Sequence, residues 1–300
     1  MSRDFIGYGK EKPKIFWPQG NKIAVSFVVN IEEGAELSVS SGDSQNEHVF
    51  ENNKTKKLDI PDLCMESHFE YGLRSGIWRI FDVLDKYNIK ATFSCCSLAL
   101  EKSPWLIEEI LNRKHEISAH GVKWISHAYF SREEEKKIIN ECYSSILKLS
   151  GRPPLGWHTK SSTSPFTRDL LIEHGGFMYD SNAYNDDIPY VIRQNDRKFV
   201  IIPYSFDTND MRFDGNNGFV QGDDFNTYCK ESFNQLLSET DDGSLRMMSI
   251  GLHPRIIGRP GRIKGLEDFI KHIKTYQNVW IPTRIDIAKH CLEKDLFNFF

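Results

Sequence analysis

The chain has 300 residues, with 38 Lys and Arg against 42 Asp and Glu, and a formal net charge of −4. Hydrophobic residues make up 39% and charged residues 27%, which excludes a disordered chain. The mild negative charge argues against nucleic acid as a partner, because that role needs a basic face.

The N-terminal stretch MSRDFIGYGKEKPKIFWPQG has no apolar core of the secretory kind, and no run of about 18 apolar residues is present to span a membrane. From residue 21 onward two kinds of segment alternate. Short β-branched runs predict strands at 22–30, 89–95, 115–121, 155–158, 177–181, 199–205, 247–253 and 278–282. Leu73, Ile77, Ile80, Phe81 and Leu84 recur at threes and fours and predict a helix there. Ile138, Ile139, Cys142, Ile146 and Leu149 do the same within 132–150. Further helices are predicted at 104–113, 166–175, 223–238, 262–276 and 284–294. Apolar strands alternating with amphipathic helices indicate an α/β protein with a parallel sheet under helices. About eight strands and about seven helices fit a (β/α) barrel better than an open sheet. The whole of 1–300 is read as one domain, a size common for such barrels.

Residues 35–64 interrupt the rhythm as a long polar loop after the first strand. Such loops are functional or disordered. In a barrel this one sits at the C-terminal strand ends, as a lid or as a contact to a neighbouring subunit. Six cysteines lie scattered without a Cys-x-x-Cys pair, which suits a reduced, intracellular setting.

Candidate chemistry gathers at strand ends. Glu32 and Glu33 follow the first strand, where burial can raise a carboxyl pKa and create a general base; elsewhere a Glu-Glu pair is a solvated turn. His120 ends the third strand, fit to orient substrate or stabilise an oxyanion, with Trp124 four residues later where a second metal-binding His would stand. One Glu and one His make a poor zinc site, so no metal ligand set is assigned. His253 ends the seventh predicted strand, where it could protonate a leaving nitrogen, and Arg255, Arg259 and Arg262 follow it. Trp157, Asp207 and Asn209 supply a stacking surface and polar groups for a small substrate; the DTND run also reads as a turn or helix cap. No phosphate-binding glycine loop and no Gly-x-Ser-x-Gly elbow is present, which argues against nucleotide cofactors and serine hydrolysis.

The stretches DFIGYG (4–9), SFVVNIEEGAE (26–36), MESHFEYGLRSGIWR (65–79), HEISAHGVKWI (115–125), GRPPLGWHT (151–159), MYDSNAYNDDIPY (178–190), IPYSFDTNDMRF (202–213) and MSIGLHPRIIGRPGR (248–262) occur in order. With them the chain resembles the polysaccharide deacetylase family, carbohydrate esterase family 4, and within it the allantoinase-like branch. The resemblance implies a distorted (β/α) barrel of the NodB homology type, hydrolysis of an amide-type C–N bond, and a homotetramer. It puts Glu32 at the base position, Glu33 and His120 at metal-ligand positions, His253 at the late catalytic histidine, and Trp124 in place of the second metal-binding His. The metal triad is thereby broken, as in the allantoinase-like branch, and metal-independent work is expected. That branch carries Gly-Arg after the Trp-x-Thr stretch, where this chain has Lys160-Ser161 and one extra residue.

The expected protein is a cytoplasmic hydrolase of a small cyclic ureide or imide. Glu32 activates water, His253 protonates the departing nitrogen and His120 holds the oxyanion, while Glu33, Trp124, Trp157, Asp207, Asn209 and Arg259 position the substrate. N-deacetylation of an amino-sugar polymer and a catalytically silent binding protein are the alternatives.

Overall fold

Strand β1 (Ile23–Ile31) buries all nine residues of IAVSFVVNI. A strand can be apolar on both faces only where parallel neighbours and covering helices exclude water from both. In the computed structural model, which describes residues 3–9, 13, 16–49, 58–194, 196–214 and 218–294, β1 is the centre of a mixed sheet. The remaining strands are β2 (Thr92–Cys95), β3 (Glu116–Ala119), β4 (Gly156–Trp157), β5 (Tyr179–Asp180), β6 (Tyr190–Gln194), β7 (Arg197–Ile201), β8 (Arg246–Leu252) and β9 (Val279–Trp280). Their order is β6-β7-β5-β4-β3-β2-β1-β8, with β9 also pairing the start of β1. Every pairing is parallel except the β6–β7 hairpin.

All eight predicted strands are present, most of them shorter than their apolar runs. The strand missed in sequence is β6, which makes β8 the eighth strand rather than the seventh. Its residues YVIRQ are polar towards one end and carry little apolar signal. Asp196, in the left-handed region, turns the chain into β7.

The sheet curls without closing through a ladder. Its two ends meet at the segment that follows β7. The Gly251 N–H donates to the Thr208 carbonyl (3.0 Å), Thr208 Oγ1 to the Ser249 carbonyl (2.5 Å) and Ser249 Oγ to the Pro203 carbonyl (2.8 Å). Arg284, wholly buried, donates to the carbonyls of Ile202 and Pro203 and to Ser249 Oγ. Side chains thus seal a seam that strand pairing leaves open, which is what distorts the barrel.

Helices α1 (Leu63–Tyr71), α2 (Ile77–Lys86), α3 (Ser97–Lys102), α4 (Trp105–Asn112), α5 (Arg132–Ser150), α6 (Thr167–His174), α7 (Gly222–Ser238), α8 (Pro260–Ile273) and α9 (Arg284–Glu293) cover the sheet. Each predicted helix is present; α1 and α3 are additions. Helix α5 starts on a Ser131–Glu134 capping box and ends on Gly151 in the left-handed conformation. Among the described residues no helix is long and apolar enough to cross a membrane. All six cysteines are unpaired.

Residues 35–49 of the long loop lie over the strand ends beside β3 and β4. Asp43 pairs with Lys123, Glu47 with Lys160, and the Trp124 N–H donates to the Ala35 carbonyl. Residues 50–57 of that loop lie outside the described residues.

Between α1 and α2 the helix widens into one π-type turn, Gly72–Gly76, a feature that often marks functional sites. Its glycines permit two close approaches. A Cβ on Gly72 would stand 2.3 Å from Glu33 Oε1, and one on Gly76 would stand 2.0 Å from the Pro254 carbonyl oxygen. The π turn therefore seats both Glu33 and the loop after β8. Gly76→Ala meets backbone, which cannot swing aside. The variant is expected to lose about 1–3 kcal/mol of stability, measured by urea unfolding.

Candidate active site

Strand β1 delivers Glu32 and Glu33 to the C-terminal end of the sheet, β3 delivers His120 and β8 delivers His253. Relative exposures are 1% for Glu32, 2% for Glu33, 3% for His120 and 4% for His253. The two imidazoles are held alike. His120 Nδ1 donates to the His158 carbonyl at 2.7 Å, and His253 Nδ1 donates to Asp210 Oδ1 at 2.5 Å. Each ring therefore turns its Nε2 inward, and both nitrogens face one oxygen, Glu32 Oε1, at 3.4 and 3.3 Å. The other oxygen, Glu32 Oε2, is gripped by Arg255 Nη2 at 2.7 Å.

Arg255 is the residue sequence reasoning passed over. It stands two positions after His253, where Arg259 was preferred. Its guanidinium lies against the rings of Phe69 and Trp124, 4.4 and 5.0 Å from their centroids, which are themselves 6.2 Å apart. Its Nη1 is 3.5 Å from Glu33 Oε1, which also accepts the Arg255 backbone N–H. Asp210 was noted only as part of the polar run 207–210 and not singled out. It sits in the DTND run and is wholly buried, and its Oδ2 accepts the backbone N–H groups of His253 and Ile257. An acid in a strand-end polar run, with a histidine to orient, was the available signal.

The charges follow from these contacts. Burial alone would raise the Glu32 pKa, but Arg255, His253 and the hydrogen bonds from His120 and His253 outweigh it and hold Glu32 well below the usual carboxylate range. Burial opposes a charge on His253 too, yet Glu32 and Asp210 push it up to about 9. Burial raises Glu33 to about 7, with Arg255 opposing and Glu32 adding to the rise. Of the two glutamates, Glu33 is the one that takes a proton first. At neutral pH the site pairs an ionised Glu32 with a protonated His253.

The other predicted residues divide. Trp124 is at the centre, under Arg255 and also under Lys160, whose Nζ lies 3.5 Å from the ring centroid. Asn209 is one step behind it: it caps the turn at Met211 and donates to Tyr204 OH, which Asn30 also reaches. Tyr204 packs on His158, and His158 stacks on His120 at 4.9 Å. Burial, followed by the influence of His120, holds the His158 pKa well below the histidine range, so this ring is neutral.

Trp157 is not a substrate platform: it is wholly buried, with Nε1 donating to Thr159 and its ring against Phe177 and His127. Asp207 is exposed and bonds to Ser205 and Tyr228, away from Glu32. Arg259 lies over Tyr71 and contacts His68, tying the loop after β8 to α1. The sequence showed polar groups at strand ends but not which way each side chain points.

The divalent metal of the deacetylase pattern does not fit these residues. The Arg255 guanidinium lies between the two glutamates, Trp124 replaces the second histidine, and among the described residues no three His, Cys, Asp or Glu side chains gather to hold an ion.

Similarity to known proteins follows this geometry. The polysaccharide deacetylase profile matches residues 60–165. A Schizosaccharomyces pombe protein carrying that family name is 35% identical over 312 residues, covering 96% of each chain. A crystal structure from Pseudomonas aeruginosa PAO1, also under the family name, superposes with a TM-score of 0.94 at 38% identity over 99% of this chain and 100% of the other. The crystal structure of a PuuE allantoinase gives 0.94 at 39% identity over 99% of both chains.

A protonated His253 serving as general acid predicts activity that falls as pH rises through about 9. Asp210→Asn removes a charge that holds this proton, so a pH–rate profile should show the alkaline decline at lower pH and kcat reduced by about 10²–10⁴.

Proposed function

The chain belongs to the polysaccharide deacetylase family, hydrolases acting on carbon–nitrogen bonds, and on that premise we propose that it opens a C–N bond in a small cyclic ureide or imide, with allantoin the first candidate. The observation that carries this reading is the enclosure of the reacting groups. Glu32, His120 and His253 are all buried, and residues 35–49 are tied down beside the β3 and β4 ends through Asp43–Lys123 and Glu47–Lys160. A compact ring suits such a centre; a polysaccharide needs an open groove. The likeness to PuuE allantoinase along the full chain supports the same choice.

The chemistry uses groups whose protonation is already set. Glu32 takes a proton from water, and the hydroxide adds to the ring carbonyl. His120 in its doubly protonated form keeps Nδ1 on the His158 carbonyl and donates from Nε2 to the oxygen that becomes negative. The C–N bond then breaks, and the ring nitrogen leaves with the proton from His253 Nε2. Glu32 is now protonated and His253 neutral, and the 3.3 Å contact between them lets one proton transfer restore the starting state. Metal has no part in these steps. Lys160, in place of the Gly-Arg of the allantoinase-like branch, keeps its ammonium against Glu47 and Trp124, which leaves the identity of the ring to experiment.

The test is a panel of cyclic ureides and imides beside N-acetylglucosamine oligomers, assayed with and without chelator. Ring opening that survives chelation is expected. Deacetylation of the oligomers without opening of any ring overturns the substrate class, and no turnover at all overturns the enzyme reading. Glu32→Gln keeps the shape but cannot accept the proton, and kcat is expected to fall by about 10²–10⁴.

A further inference from the structure

We propose that Arg255 is the site's permanent cation, a positioning residue whose guanidinium fills the space between Glu32, Glu33 and Trp124 that a divalent ion would otherwise require. Four observations converge on it. The guanidinium reaches both glutamates, at 2.7 and 3.5 Å. Two neighbouring aromatic rings, Phe69 and Trp124, line it, and aromatic faces accept a cation without offering a lone pair to a metal. Its backbone is fixed by the bond from its N–H to Glu33 and by the close approach of the neighbouring Pro254 carbonyl to Gly76. Its side chain is 2% exposed, so water cannot replace the charge it supplies.

The two changes belong together. Trp124 takes away a ligand and at the same time supplies a wall for the guanidinium. Arg255 takes away the space and at the same time supplies the positive charge that two buried carboxylates need. A delocalised, planar, always-charged group meets this requirement better than lysine, because it can bridge two carboxylates and stack on rings. In this arrangement Arg255 touches no reacting atom. It fixes which oxygen of Glu32 is left to face the two histidines.

The inference is independent of the ring substrate and is tested without turnover. Native protein is titrated with Co²⁺ and its visible absorption recorded, beside the double variant Arg255→Ala with Trp124→His. The native chain is expected to show no inner-sphere cobalt band. The double variant is expected to bind one equivalent, with a band from mixed nitrogen and oxygen ligands. In parallel, Arg255→Ala is titrated with methylguanidinium, which should fit the vacated space and raise Tm saturably, on the order of 2–4 °C. The native chain should not respond, and tetramethylammonium, which cannot donate hydrogen bonds, should have no effect on either. A stoichiometric cobalt band in the native chain overturns the proposal whatever the variants do. So does a folded double variant that binds no cobalt, or an Arg255→Ala protein that methylguanidinium does not stabilise. If Arg255→Ala does not fold, Arg255→Lys retains a positive charge of shorter reach. It is expected to fold and to exclude cobalt, and cobalt binding by that variant counts against the proposal.

Discussion

Buried carboxylates must be compensated, and the site of this protein is arranged around that constraint. Glu32, Glu33 and Asp210 are all withdrawn from water at the end of the sheet. A buried ion without a partner costs several kcal/mol. Arg255 and a protonated His253 supply positive charge beside them, and Glu33 holds its proton more tightly than an ordinary glutamate. The same contacts that make burial tolerable also prepare the chemistry. The ionised Glu32 and the protonated His253 stand 3.3 Å apart.

The fold serves this arrangement through close backbone approaches. The π turn between α1 and α2 has glycines at the two places where a side chain would collide, one with Glu33 and one with the loop carrying Arg255. Gly251 allows a similar approach, with the Asn209 side chain crossing where its Cβ would be. Behind the reacting groups, the chain Asn30–Tyr204–His158–His120 uses hydrogen bonds and ring stacking to fix the orientation of the second imidazole. Packing and hydrogen bonds thus set the direction of each ring before any ligand is considered.

The seam of the barrel shows the same economy. Where β7 and β8 fail to pair, Thr208, Ser249 and Arg284 satisfy the carbonyls that a ladder would have used. The segment after β7 is thereby brought against β8. That contact carries Asp210 to His253, so the open seam is what allows an acid from one end of the sheet to orient a histidine from the other.

Much of this was legible in the sequence. Apolar runs alternating with helical periodicity gave eight of the nine strands and the parallel arrangement, because burial on both faces dictates residue type directly. The motif stretches gave the family, and strand-end position singled out Glu32, His120 and His253, which the fold brings together. The structure decided what direction and distance decide. Trp157 turned into the core and Asp207 turned to solvent, although both stand at strand ends like the residues that matter. Arg255 and Arg259 are four residues apart in one loop, and only the fold shows that the first reaches the glutamates and the second a tyrosine on α1. Asp210 lies forty-three residues from His253 in the chain. Periodicity reports which side of an element is buried, a local property; the partner of a buried charge is set by how distant segments meet, and that only the tertiary structure decides.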